Sequence, residues 1–410
     1  MKPQTFAIAG AGATAFNAVE TLRGEGFDGR IVMFGDEQHS PYQRPPLSKQ
    51  FLRGQMDEGH VFLESTDFYA TDSIELRLGE TVASIDPSEH LVHTTEGKQL
   101  AYDRLLIATG AKPRRLNIPG GELEGVRYLR TIDDCKQIRI DLERQPHVVV
   151  VGGGFIGCEV AASIRKLGCK VTLLTPKLPL ENVLGGEVAG AVAAFHRDHG
   201  VEVRTGVSAV EFRGSQRLEQ AVLSDQQAVA CDIAVIGIGV TPSLIDVPAA
   251  VQSERGIETD EFCRTSVEHI WAAGDVAASW RPSLGARVRF EHFDNAKHQG
   301  AAVAKNMLDR KQPYDPVPFF WSDQAELHLQ YFGYAPTWDA IVIRGNVAEL
   351  KFTAYYLRAG RVDAFCSVND FRSVAPSKRL LGKTGIPERE LADTSLDLVT
   401  LAETDEATAR

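Results

Sequence analysis

HVVVVGGGFIGCEVAASIRKLG, residues 147–168 of a 410-residue chain, carries three signals in immediate succession. The apolar run His147–Val151 is short enough to be a single buried parallel strand. Gly152, Gly154 and Gly157 follow in GxGxxG spacing, with Phe155 and Ile156 between the last two, and an Ala-rich helical pattern begins there. Each glycine has a separate physical task. The first permits the tight turn out of the strand, and the second lets a pyrophosphate approach the backbone. The third lets the new helix pack closely, its N-terminal N–H groups aimed at the phosphates. Alone, the spacing is as compatible with a loop as with a binding turn; between a strand and a helix it reads as a dinucleotide site. Its mid-chain position is unusual, since such units ordinarily open a domain.

A second beginning lies upstream. Phe6–Ala9 reads as a strand followed by Gly10, Gly12 and Ala15, a GxGxxA variant, and then a helix from about Phe16 to Gly24. The next strand, Ile31–Phe34, ends at Gly35-Asp36-Glu37, where a ribose hydroxyl needs an acid, although a solvated turn explains these acids too. Two such units imply two dinucleotides, and the economical pair is FAD with a nicotinamide cofactor, NADPH or NADH. The expected fold class is α/β, with two Rossmann-like dinucleotide-binding domains and a C-terminal α+β domain containing an antiparallel sheet.

The intervening chain supplies the remaining candidates. PYQRPPLSK, Pro41–Lys49, is stiffened by three prolines and projects Arg44 and Lys49. Strands at Val82–Ile85 and Leu91–Thr94 with a Glu96-Gly97-Lys98 turn precede Leu105–Ala108, which runs into Thr109-Gly110. Residues 111–130 read as a crossover between domains. Val171–Leu174 is the next strand, followed by a helix over Gly186–His199, and the apolar Ile233–Ile238 ends at Gly239. Ile270–Ala273 leads to Gly274-Asp275, an acid at the start of a helix, able to accept from a polyol hydroxyl or to cap that helix. A further helix spans His292–Leu308. Beyond Pro313–Pro318 the pattern turns to strands at Ala340–Ile343, Ala348–Leu357 and Val362–Val368 with Gly345-Asn346 and Ala359-Gly360 turns, then a helix near Ser377–Leu381. Glu403–Arg410 is expected to fray.

Composition narrows the function classes. The chain is 43% hydrophobic and 24% charged, with a net charge of −11, which argues against general nucleic-acid binding. No apolar run reaches the roughly 18 residues of a membrane span, and the N-terminus reads straight into a strand, so no signal peptide is expected. Six cysteines lie scattered without CxxC or metal-ligand spacing, so no metal site is expected and the cytoplasm is the expected location.

These stretches, from GAGATAF at Gly10 through GDE, PYQRPPLSK, ATG, YLRTIDD, GGGFIGCEVAAS and WAAGDVA to FWSDQ at Phe320, cover nearly the whole chain. In order and number they resemble the FAD-dependent ferredoxin reductases of bacterial oxygenase systems. That group is typified by putidaredoxin reductase and the aromatic-ring dioxygenase reductases, with apoptosis-inducing-factor-like flavoproteins as relatives. The resemblance implies FAD on Gly10, Gly12, Thr14, Ala15, Asp36, Arg44, Lys49, Val82, Thr109, Gly110, Arg130, Asp275, Phe293 and Trp321. It implies NAD(P)H on Gly152, Gly154, Phe155, Ile156, Gly157, Glu159, Thr175, Lys177 and Gly239. Lys49 would sit near flavin N5 paired with Glu159, the two catalytic positions, and Trp321 beside the isoalloxazine. It also explains the mid-chain motif: a nicotinamide domain (111–234) inserted in a split flavin domain (1–110 and 235–312), with a C-terminal domain (313–410).

Departures from the pattern matter too. Relatives preferring NADH usually carry a Glu where this chain has Leu174-Thr175-Pro176-Lys177, and a lysine there suits a 2′-phosphate, tilting the expectation to NADPH. Phe293 stands where a Trp is usual. The implied activity is electron transfer from NAD(P)H through FAD to a small ferredoxin-type iron–sulfur protein. The alternatives are an apoptosis-inducing-factor-like sensor with slow turnover and a disulfide or peroxide reductase. The latter needs a redox cysteine beside the flavin, and the first cysteine is Cys135. Arg281, Arg287, Arg289, Arg310 and Lys311 are the candidate ferredoxin-docking cations.

Overall fold

A computed structural model describes residues 4–248 and 251–408. The chain forms two compact units. The first comprises Met1–Pro45, Met56–Lys112 and Val240–Pro316; the second comprises Pro46–Gln55, Pro113–Gly239 and Val317–Arg410. The division differs from the three expected domains in grouping the C-terminal region with the inserted one. It also detaches the short Pro46–Gln55 segment, which holds Lys49, from the flanking sequence.

The first unit is built on a five-stranded parallel sheet in the order Ile270–Ala272, Arg104–Ile107, Thr5–Ala9, Arg30–Gly35, Ile74–Leu78. Ala7 pairs with Val32 on one side and Leu105 on the other, so chain order reverses beside the first strand. That reversal opens a crevice at the strands' carboxyl ends, where ligands bind in such sheets. Period-two alternation divides the strand between two cores. Phe6 and Ile8 pack with Val19, Leu22 and Met307 from the helices Ala13–Gly24 and Phe293–Met307. Ala7 and Ala9 face Val92, Tyr102 and Ala277. The opening helix begins at Ala13, earlier than the expected Phe16, because Gly12 itself caps it. The Glu96-Gly97-Lys98 turn joins Leu91–Thr94 to a strand not foreseen, Gln99–Ala101, giving a three-stranded antiparallel sheet.

The second unit repeats the parallel arrangement in the order Val201–Thr205, Lys170–Thr175, His147–Val151, Ile233–Ile236, Val126–Tyr128. Val148, Val149, Val150 and Val151 are all buried, each contributing about 1.5–3 kcal/mol by leaving water. The following helix spans Glu181–Asp198 but is broken at Gly185 (φ 77°), so its longer segment begins at Gly186 as expected and a short turn from Glu181 precedes it; at the kink the Ile341 side chain lies so close that a β-carbon would strike it. A five-stranded antiparallel sheet follows, in the order Phe319–Gln324, Leu327–Gly333, Arg361–Val368, Lys351–Arg358, Ala340–Asn346. Gly345 and Asn346 belong to the last of these strands, and the turn falls after them. Helices Phe371–Lys378 and Leu398–Thr408 cover one face, so the tail expected to fray is helical through Thr408, and 409–410 lie outside the described residues. Buried Arg344 secures this tail by donating to the carbonyls of Leu391, Asp393 and Leu396. Among the described residues no helix is long and apolar enough to cross a membrane.

Candidate functional site

Two glycine turns lie at equivalent places, one in each unit. In the first, Gly10 (φ 125°) leaves the strand so tightly that a β-carbon would land on the Ala108 carbonyl. Gly12 caps the helix with no side-chain cap bond and no acid in its first turn, and a β-carbon there would meet nothing within 4 Å. The helix's leading N–H groups therefore open onto unfilled space, a cradle fitted to an anion such as pyrophosphate. Thr14 and Ala15 are buried behind it, and Gly274 approaches Thr14 too closely for any side chain. Gly300 does the same against the Thr14 carbonyl, which explains the tight pairing of this helix with Phe293–Met307.

The other first-unit candidates surround the carboxyl ends of the strands. Asp36 is exposed just past Gly35. Its neighbour Glu37 accepts from the Tyr42 hydroxyl at 2.6 Å and from Arg44 Nη2 at 2.7 Å, while Arg44 Nη1 donates to Tyr42 at 3.0 Å. Glu37 thus holds the proline-rich loop, leaving Asp36 as the acid at the strand end. Thr109 Oγ1 donates to the Ser243 carbonyl at 2.6 Å, fixing the turn that Gly110 (φ 71°) completes. Val82 opens a strand of the antiparallel sheet, and Phe293 is the first residue of its helix. Asp275 lies in a three-residue 3-10 turn, Gly274–Val276, not at a helix start. Lys49, Arg130 and Trp321 belong instead to the second unit.

In the second unit, Gly152 (φ 114°) packs against the Gly237 carbonyl, and Gly157 against the Gly152 carbonyl. Gly154 caps Phe155–Lys166 without a side-chain bond, with no acid in the first turn and nothing within 4 Å of a β-carbon. This is the same open cradle as at Gly12. Ile156 is 48% exposed beside it, and the Phe155 ring meets Phe320 edge-on at 4.9 Å. Thr175 is buried at the end of its strand, and Gly239 (φ 95°) accepts from the Arg114 N–H at 3.0 Å. Exposed Lys177 donates to Asn182 Oδ1, a neutral partner, at 3.0 Å. The nearest acid along the loop, Glu181, is folded back onto the Leu178 N–H at 2.9 Å. Arg130 precedes a capping box in which Thr131 and Asp134 bond reciprocally.

One turn along the Gly154 helix, Glu159 is 2% exposed and pairs with the Lys49 ammonium at 2.6 Å. Burying such a pair costs several kcal/mol per ion unless further hydrogen bonds accompany it. Here Ser48 Oγ donates to the same oxygen as Lys49 at 2.5 Å, and Ser322 Oγ to the other at 2.8 Å. The backbone is fastened alongside: Ser163 Oγ donates to the Ser48 carbonyl at 2.7 Å, and Arg53 to Ser163 at 3.1 Å. Glu159 and Ser163 are four apart on one helix face, so a single face grips the whole Lys49 segment. The resemblance implied Lys49 and Glu159, whereas both serines escaped it. Trp321, on the opposite face of its strand from Ser322, stacks on Phe319.

Two other candidate sets fare differently. Arg281 is no docking cation: it is buried between Phe290 and Tyr314 and donates to the Pro316 carbonyl. Arg287 and Arg289 pair with Glu258 and Glu291, and Arg310 with Glu25. All six cysteines are buried free thiols. Desolvation pushes Cys135, Cys231, Cys263 and Cys366 up to about 12, and raises Cys158 and Cys169 as well. None offers the exposed, low-pKa thiolate that disulfide or peroxide reduction requires.

The chain matches known protein families and solved structures. The family described as pyridine nucleotide-disulphide oxidoreductase matches residues 4–300, and the reductase C-terminal family matches residues 319–402. The chain is 36% identical to the 5,5'-dehydrodivanillate O-demethylase ferredoxin reductase subunit of Sphingobium sp., over 95% of this chain and 96% of that one. It is also 36% identical to the ferredoxin–NAD(+) reductase component of the anthranilate 1,2-dioxygenase system of Burkholderia cepacia, over 98% and 100%. Among solved structures, the ferredoxin reductase for the CYP199A2 system of Rhodopseudomonas palustris superposes with a TM-score of 0.92 at 35% identity, covering 97% of this chain and all of that one. The covalent putidaredoxin reductase–putidaredoxin complex gives 0.94 at 33%, covering 99% and 100%.

Proposed function

The chain belongs to the pyridine nucleotide-disulphide oxidoreductase family, and from that premise we propose that it passes electrons from NAD(P)H through FAD to a small ferredoxin serving an oxygenase. The observation that carries this reading is the pair of glycine-capped helix starts without side-chain caps, one per unit, in a chain whose thiols are all buried. The Gly12 turn, with Asp36 at the ribose, is assigned to FAD, and the Gly154 turn to the nicotinamide nucleotide. This extends the domain reading: residues 1–110 and 235–312 serve the flavin, 111–234 the nicotinamide, and 313–410 the C-terminal domain. FAD, when bound, supplies the chemistry of accepting two electrons as hydride and releasing them singly. No residue of the chain need act as nucleophile or general base. Its residues bind and orient, and the Lys49 ammonium stabilises negative charge as it develops. Arg44 contacts the flavin nucleotide beyond its adenosine, and the buried free cysteines fit a reducing cytoplasm.

For cofactor preference we favour NADPH. Lys177 is exposed, bound only to neutral Asn182 among the hydrogen bonds described, and follows a strand that ends in Thr175 rather than an acid. Such a cation suits a 2′-phosphate. Ferricyanide reduction driven by NADPH and NADH in parallel tests both the activity and this preference. Rapid turnover with a higher kcat/KM for NADPH, inverted by Lys177→Glu through roughly a tenfold change, is the expected outcome. Slow turnover with a long-lived reduced complex would favour a sensor, and an unaltered ratio in Lys177→Glu would remove Lys177 from recognition.

A further inference from the structure

The hydrogen bonds around Glu159 continue outward. Gln324 Nε2 donates to Ser322 Oγ at 3.2 Å, and Gln324 Oε1 lies 2.9 Å from His196 Nε2. Ser322, Gln324 and His196 are each fully buried. Ser322 and Gln324 are two apart on the strand Phe319–Gln324 and so share a face. His196 comes from the last turns of the helix Glu181–Asp198.

The direction of this chain follows from donor inventory alone. A carboxylate paired with an ammonium only accepts, so Ser322 must spend its single proton on Glu159. Its oxygen must then accept from the Gln324 nitrogen, which turns the Gln324 oxygen to His196. His196 Nε2 is therefore the protonated nitrogen, leaving Nδ1, buried without a hydrogen-bond partner among the described residues, as a bare lone pair. Burial also lowers the His196 pKa, keeping the ring neutral. Every donor in the run from His196 through Gln324 and Ser322 points toward Glu159. A glutamine amide does not readily pass a proton, so the chain orients the carboxylate and does not conduct.

We propose that Gln324 and His196 are positioning residues for the Lys49–Glu159 pair: by fixing which way the Ser322 hydroxyl points, they set where the ammonium stands. This rests on the reading that Lys49 acts on the flavin. Gln324→Glu is the informative substitution, because it keeps the shape but replaces a donor with an acceptor. The Ser322 hydroxyl is then drawn away from Glu159 toward residue 324. The measurement is stopped-flow reduction of bound flavin by saturating NADPH, with FAD occupancy and nucleotide Kd determined alongside. Gln324→Glu should slow reduction roughly tenfold with occupancy and Kd near native, and Gln324→Met should fall between it and the native enzyme. In a Lys49→Met background Gln324→Glu should add almost nothing, since both changes act through one ammonium. If Lys49→Met slows reduction but Gln324→Glu does not, or if the two effects multiply, the positioning role is wrong. If Lys49→Met itself leaves the rate unchanged, the Lys49 reading fails instead. A defect confined to occupancy would make the chain merely structural and overturn the proposal.

Discussion

Lys49→Met should reduce its flavin at about a hundredth of the native rate or less while FAD stays bound. Loss of a preorganised charge aimed at a developing anion costs roughly 100- to 1000-fold, about 2.7–4 kcal/mol of barrier. Methionine matches the length of the lysine stem, so packing is largely retained. The partner is what suffers: Glu159, 2% exposed, becomes a buried carboxylate with two hydroxyl donors and no cation. Breaking such a pair from one side costs about 3–5 kcal/mol of stability. A Lys49→Met/Glu159→Gln double variant separates the two consequences. It should recover most of the thermal stability and none of the reduction rate, read by thermal unfolding and stopped-flow absorbance. Recovery of the rate in the double variant would show that charge balance, not the ammonium, governs the step.

Gly154→Glu should fold normally and bind NAD(P)H roughly 30- to 100-fold more weakly, about 2–3 kcal/mol, with FAD retained. Stability and binding move in opposite directions here for one physical reason. The Gly154 backbone is extended (φ −80°, ψ −179°), a conformation open to any residue, and a β-carbon meets nothing within 4 Å. A carboxylate beside an uncapped helix N-terminus is favourable by about 0.3–1 kcal/mol, so the fold gains slightly. The same carboxylate occupies the cradle and repels a pyrophosphate. Gly12→Glu should reproduce the effect on FAD, giving protein that purifies without flavin. Unchanged nucleotide KM in Gly154→Glu would place the nicotinamide nucleotide elsewhere.

What the sequence made legible is what local chemistry dictates. A glycine that only glycine can satisfy, as at Gly152 or Gly157, leaves a mark in the sequence, and so does an unbroken apolar strand such as His147–Val151. What escaped depends on distant packing. Gly185-Gly186 reads locally as a helix start, and what escaped is the extra turn from Glu181 ahead of it and the kink at Gly185, where the Ile341 side chain leaves room only for a glycine. Ser48 and Ser322 are ordinary serines until folding brings them to Glu159 across 111 and 163 residues. Arg281 looks like a surface cation and is instead among the most buried side chains, because two aromatic rings and a backbone carbonyl enclose it. Strands Phe319–Gln324 and Leu327–Gly333 escaped because the Ala325-Glu326 turn between them carries no glycine, proline or asparagine.

Electrons entering from NAD(P)H leave one at a time to a small iron–sulfur protein. The most direct test of this transfer is steady-state cytochrome c reduction by the purified, FAD-loaded enzyme with NADPH or NADH, with and without a [2Fe–2S] ferredoxin of an oxygenase system. The rate should rise with ferredoxin concentration to saturation and be small without it. Rapid flavin reduction with no ferredoxin-dependent rate, across several such ferredoxins, would contradict it.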